Sequence, residues 1–273
     1  MGWGGLAGTM TTVAVAPRAA RGPGAGKGHG QCSREGHHAR AVQSAIHLLR
    51  PGAILLDALG TLLALEPPAP RLRQVLADRF GLTLSSGQAR DAIDAEIAYY
   101  RAHLGEGADA ASLADLRARC AEVLRGALPA SDAMTAVSPQ ALTGALLASL
   151  HFTAFPDAVP ALAGARARGQ RLVVLSNWDA SLSGVLEAAG LAPLLDGIVC
   201  SAVAGARKPS PAIFEQALGV AGVTARHAIH VGDSIEEDVQ GARGACIEPV
   251  LIRRDRSSGP PGVRTIATLA ELR

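Results

Sequence analysis

The chain has 273 residues, enough for one large domain or two small ones, and 48% of them are hydrophobic while only 3% are aromatic, so its core has to be built from alanine, leucine and valine. The formal net charge of +2 divides unevenly: residues 1–50 hold six Lys/Arg against the single acid Glu35, whereas residues 51–273 hold 20 basic and 23 acidic side chains. That mildly acidic body excludes the electrostatic footprint of a nucleic-acid binder, and no apolar run approaches the ~18 residues that a membrane span requires.

Residues 1–50 differ from the rest. Glycine, alanine and arginine dominate, and four of the eight histidines (His29, His37, His38 and His47) lie here. So little of this stretch could enter a core that the expectation is a low-complexity, disordered leader which the functional protein does not need. Thr11 to Ala16 is mildly apolar, but no positive charge precedes it, which speaks against a secretory signal. Cys32, Cys120, Cys200 and Cys246 are scattered without metal-ligand spacing. They read as free thiols in a reducing, cytoplasmic compartment.

The first predicted strand is about Ala53 to Leu56, a continuous apolar run that stops at Asp57. Glu66 to Pro70 (EPPAP) reads as a stiff connector. Helices are then predicted over Arg71 to Phe80, Ser85 to His103, Ser112 to Leu128 with Ser112 as N-cap, and from Ser138-Pro139 to about Leu150. Four helices without a convincing strand predict a small helical bundle over residues 66–155. From residue 156 the pattern alternates. Helices are expected over Asp157 to Arg168, Asp179 to Ala189, Ser210 to Leu218 and Ile235 to Gly244. Strands are expected over Arg171 to Leu175, Ile198 to Cys200, Ala228 to Val231 and Val250 to Ile252. Such alternation implies βαβ units and a parallel sheet. The first strand has no partner near it in sequence, so it belongs to this later sheet. The fold expected is a doubly wound α/β core, residues 51–65 and 156–273, with the helical bundle inserted into it.

Where the apolar runs stop, polar residues stand. Asp57 follows strand one in DALGTL, and Ser176-Asn177 follows the second strand in VVLSN. Asp233 and Asp238 lie in HVGDSIEED, and Lys208, the only lysine outside residues 1–50, lies in ARKPSPAIF. This set, in this order, resembles the haloacid dehalogenase-like hydrolase superfamily, from about residue 51 to the end. A helical insertion straight after the first motif is similar to the cap of the family's first subclass. The resemblance implies that Asp57 is a nucleophile, that Ser176 and Lys208 hold and neutralise the transferred group, that Asn177 belongs to the same catalytic set, and that Asp238 holds the lysine or the waters of a metal in place. It also implies a Mg²⁺ ion bound by Asp57, Asp233 and the backbone carbonyl of Leu59.

Elementary chemistry agrees with these roles. A carboxylate accepts a phosphoryl group when cations screen the repulsion, and Mg²⁺ prefers a few carboxylate oxygens in an octahedron. Ser176 lies just before a predicted helix whose first amides favour an anion. Departure from the family pattern occurs at Leu59, where its phosphatases usually carry a second aspartate as acid and base. The expected activity is therefore phosphate-ester hydrolysis of a small phosphorylated metabolite without that group. Metal-independent dehalogenation of 2-haloacids and a non-catalytic binding role remain as alternatives. No lysine lies between residues 66 and 155, so a Schiff-base mechanism from the insertion is excluded. The sequence names neither the metabolite nor the oligomeric state.

Deletion of residues 1–48 is expected to leave folding and activity unchanged. Thermal unfolding and turnover of the truncated chain, compared with the full one, check this.

Overall fold

Ala53–Leu56 forms strand β1, and each of its four residues is at most 2% exposed. A strand apolar on both faces has to be covered on both. The structure, a computed structural model describing residues 51–272, places β1 in the middle of a six-stranded sheet. The expectation for residues 1–50 lies outside the described residues. With β2 (Leu63–Leu65) and β3 (Phe152–Ala154) set aside as a separate pair, the sheet contains β4 (Arg171–Ser176), β5 (Gly197–Cys200), β6 (Ala228–Gly232), β7 (Glu248–Ile252) and β8 (Arg264–Ile266). Its order is β5-β4-β1-β6-β7-β8, and every pairing is parallel. The chain runs outward from β1 through β4 to β5, then restarts on the other side of β1 at β6. Such a reversal opens a crevice at the carboxyl ends of the central strands, where ligands of open α/β sheets bind.

β2 and β3 pair antiparallel, Leu63 opposite Ala154 and Leu65 opposite Phe152, and form the neck through which the helical insertion leaves and returns. The insertion contains α1 (Pro68–Phe80), α2 (Ser86–His103), α3 (Ala110–Ala127), the single turn α4 (Asp132–Thr135) and α5 (Pro139–Ser149). Pro68 and Pro70 stand in the first turn of α1 rather than in a connector. Proline has no N–H to lose there, and its fixed φ suits the helix. α3 starts earlier than expected. Asp109 caps it by accepting from the Ala111 and Ser112 amides, both at 2.9 Å, and Ser112 reaches back to the Asp109 amide at 3.0 Å. Ser112 is thus the reciprocal partner in a capping box, not the cap. Ser138 caps α5 as expected. The insertion has its own apolar cluster, with Leu72, Leu76, Ile93, Leu116, Leu124 and Leu142 at its centre. Alanines Ala89, Ala92 and Ala121, fully buried, let these helices approach closely, and Phe80, Tyr99 and Tyr100 pack against the cluster from its edge.

The core helices cover the sheet: α6 (Ala158–Ala167), α7 (Leu182–Ala188), the single turn α8 (Ser201–Ala204), α9 (Pro211–Ala221) and the short α10 (Gly241–Gly244). Alternation along β1 sends Ile54 and Leu56 to one face, with Leu162 of α6 and Leu182 of α7. Ala53 and Leu55 go to the other, with Ile213 and Phe214 of α9. Sheet and insertion fall within one compact unit. Among the described residues no helix is long and apolar enough to cross a membrane.

Candidate active site

Asp57 stands at the carboxyl end of β1, its amide donating to the Val231 carbonyl at 2.9 Å, so the neighbouring strand β6 fixes its main chain. Two donors converge on its Oδ1: the Ser176 hydroxyl at 2.9 Å, from the end of β4, and the Lys208 ammonium at 2.6 Å. Lys208 also donates to Asp238 Oδ1 at 2.6 Å. At 1% exposure it is the bulkiest fully buried side chain among the described residues. Its main chain is clamped on both sides by the Asn177 amide: the Lys208 N–H donates to Asn177 Oδ1 at 2.8 Å, and Asn177 Nδ2 donates to the Lys208 carbonyl at 3.1 Å. Ser176 and Asn177, adjacent in sequence, thus divide the work. One touches Asp57, and the other ties in the loop that delivers the lysine.

Asp238 reaches this point through an unusual turn. Ile235–Gln240 is wound as a π-helix, with the Val239 amide on the Ser234 carbonyl, rather than as the expected regular helix. The wider turn brings Asp238 back under β6, where its Oδ2 accepts from the Ser234 amide at 3.0 Å. Gly232 makes the fold-back possible, because a Cβ there would strike the Asp238 carboxyl carbon. Oδ1 of Asp238 further lies 2.8 Å from His230 Nε2, on β6 and fully buried. Asp233 follows β6 directly and packs against Gly60, whose Cβ, if present, would run into its carboxylate. Gly60 also turns the chain at φ +81°, which any larger residue adopts at a cost.

The electrostatics follow from one cation facing three carboxylates. Burial, with Asp238 and Asp233 adding to it against the pull of Lys208, raises the Asp57 pKa from 3.8 to about 6. Burial and the Asp238 charge push Asp233 up as well. Burial opposes ionisation of Asp238 too, but Lys208 and His230 outweigh it and hold that carboxyl below the usual range. Lys208 is buried, yet Asp57 and Asp238 keep it charged and raise its pKa. Asp57, Asp233 and Asp238 each offer an oxygen within 4.8 Å of one another. An all-oxygen set with surplus negative charge fits a hard divalent cation such as Mg²⁺. The oxygens of Asp238 already receive Lys208, His230 and the Ser234 amide, which leaves Asp57 and Asp233 as the better placed pair.

The family profile of haloacid dehalogenase-like hydrolases matches residues 51–245. The chain belongs to that family. Haloacid dehalogenase-like hydrolase domain-containing protein 3 of Bos taurus is 41% identical over 91 residues, covering 33% of this chain and 36% of that protein. A phosphoserine phosphatase of Thermus thermophilus is 34% identical over 124 residues, covering 45% of this chain and 50% of that enzyme. The chain thus spans about a third to a half of the length of these curated relatives. The crystal structure of a HAD phosphatase from Thermococcus onnurineus, 25% identical, superposes with a TM-score of 0.55 over 82% of this chain and 96% of that one.

Asp57, Ser176, Asn177, Lys208, Asp233 and Asp238, all singled out in the sequence, lie together at the carboxyl edge of the sheet. Leu59 lies two residues beyond Asp57, is half-buried and packs on the apolar cluster of the core. Three features of this haloacid dehalogenase-like site had no strong sequence signal. His230 was visible only as a polar residue inside an apolar strand. Asp179, where a helix was expected to begin, lies ahead of α7 and accepts from the Ser181 amide at 2.7 Å and from the Tyr100 hydroxyl of α2 at 3.0 Å. With the Ala180 amide on the Gly107 carbonyl, that bond ties the insertion to the loop following Ser176. Tyr99 and His103 stack 4.0 Å apart on another face of α2, where Arg119 donates to the Tyr99 hydroxyl.

The pKa of Asp57 carries a consequence for stability. Its folded value of about 6 exceeds its unfolded 3.8, so the unfolded chain releases this proton first. The stabilisation is complete below about pH 4 and is lost as pH rises through about 6, on the order of 3 kcal/mol for the roughly two units involved. Asp238 shifts the other way and contributes fully above pH 4. Thermal unfolding in a chelator should therefore show stability falling between about pH 4 and pH 6, and Asp57→Asn should flatten that fall, leaving the share of Asp233.

Proposed function

We propose that this chain is a Mg²⁺-dependent phosphatase of small phosphorylated metabolites, working through an aspartyl-phosphate at Asp57, with residues 66–155 as a cap domain over the core of residues 51–65 and 156–273. The observation that carries the reading is the bonding of Asp57. Ser176 and Lys208 both hold Oδ1, so Oδ2 is left to attack. Attack forms the Oδ2–phosphorus bond and breaks the bond from phosphorus to the leaving oxygen; water then hydrolyses the acyl phosphate and returns Asp57. Lys208 sets a fixed positive charge beside the transferred group, and Asp238 keeps the ammonium from rotating away. The Ser176 hydroxyl, which lies on Asp57, is placed to hold a phosphoryl oxygen. The helix expected from Asp179 begins only at Leu182, and the amides of Trp178, Ala180 and Ser181 are already bonded within the protein. The ion, held by Asp57, Asp233 and the Leu59 carbonyl, would supply charge neutralisation for the phosphoryl oxygens. A cleft of about 330 Å³ lies between residues 102–106 of the insertion and residues 201–207 of the core, and none of Asp57, Ser176, Lys208 and Asp233 lines it. A cytoplasmic location goes with the buried thiols Cys120 and Cys200.

Leu59 shapes the chemistry. It can neither protonate the leaving oxygen nor activate water, functions worth roughly 10²–10⁴ in rate. Lys208 does not replace it, because two carboxylates hold its proton. Substrates whose leaving group departs without a proton are therefore favoured. Halide also leaves without a proton, which is the one feature that suits dehalogenation. Crowding of Asp233 and Asp238 against Asp57 favours the cation-dependent reaction instead.

One panel tests the reading: p-nitrophenyl phosphate, alkyl phosphates and 2-haloacids, each with and without Mg²⁺, beside Asp57→Asn. Mg²⁺-dependent phosphate release that Asp57→Asn abolishes is expected, with aryl esters ahead of alkyl esters. Halide release without metal would sink it, and silence on every ester would leave a binding role. Leu59→Asp should raise turnover of the alkyl esters by about tenfold or more. Unchanged turnover in a folded variant would mean that another group already serves as the acid.

A further inference from the structure

Two arginines follow β7 directly, and both send their side chains back to the loops that carry the acidic residues. Arg253 Nη1 donates to the main-chain carbonyl of Asp233 at 2.9 Å. Arg254 Nε donates to the Gly60 carbonyl at 3.2 Å, and its Nη2 donates to the Thr61 carbonyl. The guanidinium of Arg254 is itself held in place. Its Nη1 meets both carboxylate oxygens of Asp157 at 3.1 Å, and its plane lies 3.5 Å from the centre of the Phe155 ring. Asp157 is fixed in turn by the Thr268 hydroxyl at 2.6 Å and the Leu269 amide at 2.8 Å. This arrangement uses the whole fork of an arginine, which a lysine cannot reproduce with one point charge.

The three carbonyls share a location. One belongs to Asp233, and the other two lie in the turn just beyond Asp57 and Leu59. That turn passes through Gly60 at φ +81°, and Gly60 packs against the Asp233 carboxylate. Rotation of the Gly60 or Thr61 peptide would therefore alter both the path of the chain leaving Asp57 and the seat of Asp233. We infer that Arg253 and Arg254 are positioning residues, which set the spacing of the Asp57 and Asp233 loops by gripping their main chains from the end of β7. Neither touches the reacting atoms. Their action passes through the peptides of residues 60, 61 and 233, and the charge of Arg253 also acts directly on the Asp233 carboxylate. The inference rests on the proposed roles of Asp57 and Asp233.

The test compares Arg254→Ala, Arg254→Lys and Arg253→Ala with the unaltered full chain. It measures steady-state kinetics on p-nitrophenyl phosphate and, separately, Mg²⁺ affinity by calorimetry. Removal of groups that orient metal-binding residues typically costs 10–100-fold in metal affinity or activity. Arg254→Ala should lose about that much in both kcat and Mg²⁺ affinity, with little change in KM. Arg254→Lys should recover only part of it, because it keeps the charge and loses the fork. A purely structural role would lower Tm while leaving the Mg²⁺ affinity of the folded protein unchanged, and that result overturns the inference. Should Arg254→Ala fail to fold, Arg253→Ala, which removes one side-chain hydrogen bond and a charge that acts on Asp233, is compared with Arg253→Gln, which removes the charge but keeps a donor. Recovery in Arg253→Gln by the same two readouts supports the inference, and its absence overturns it. Absence of turnover in the unaltered protein would count against the proposed activity, whereas Mg²⁺ titration would still decide the role of the arginines. A chain that neither turns over nor binds Mg²⁺ overturns both.

Discussion

The ammonium of Lys208, buried between Asp57 and Asp238, is the interaction on which the rest of the site depends. A charge taken out of water costs several kcal/mol unless partners replace the solvent. The ammonium donates to two carboxylate oxygens at 2.6 Å, and the loop that carries it is secured at the main chain by Asn177. Removing either carboxylate would leave a buried cation with half its compensation; removing the lysine would leave carboxylates facing one another. The three residues come from β1, from the loop before α9 and from the turn after β6, so this one contact ties the middle of the sheet to elements distant in sequence.

That contact also explains why glycine recurs at the sheet edge. Asp238 can reach the lysine only by folding back under β6, which requires both the wide π turn and the bare Cα of Gly232. Asp233 can approach Asp57 only because Gly60 presents no side chain to it. One cation then faces three carboxylates, and burial together with the neighbouring carboxylates raises Asp57 and Asp233 together. In the proposed reaction a Mg²⁺ ion would offset this surplus of negative charge, because it supplies the positive charge that one lysine cannot. His230 relieves part of the surplus at Asp238 alone, which is why that carboxyl stays ionised beside the lysine while Asp57 does not hold its charge as firmly.

Much of this was legible in the sequence where a physical signal extends over several residues. β1, β4 and β6 announce themselves as apolar runs cut short by Asp57, Ser176 and Asp233, because a strand buried on both faces has no reason to alternate. The helices of the insertion follow from their caps and stops. What stayed hidden has no periodic signature. β2, β3 and β8 are three residues each, too short to show a pattern. The start of α3 went to Asp109 rather than Ser112 because two good capping residues stood three apart and only geometry decides between them. Arg253 and Arg254 bind main-chain carbonyls, and every residue has one, so no spacing in the sequence could reveal their acceptors. The bond between Tyr100 and Asp179 joins positions 79 apart.

Leu59 is better understood from the charge balance than from the acid it lacks. A fourth carboxylate two residues from Asp57 would stand in a site where burial and two neighbouring carboxylates already raise the Asp57 pKa to about 6. It would also displace an apolar side chain from the cluster that includes Leu56, Leu62 and Leu63, the residues on either side of the turn. Leucine therefore lowers the electrostatic strain and anchors the turn between β1 and β2, at the expense of proton transfer. In the proposed reaction the substrate has to make up the difference through a leaving group that departs without a proton. Specificity then arises partly in the chemical step itself, upstream of any contact made by the insertion, because an ester with a poor leaving group can occupy the cleft and still fail to react.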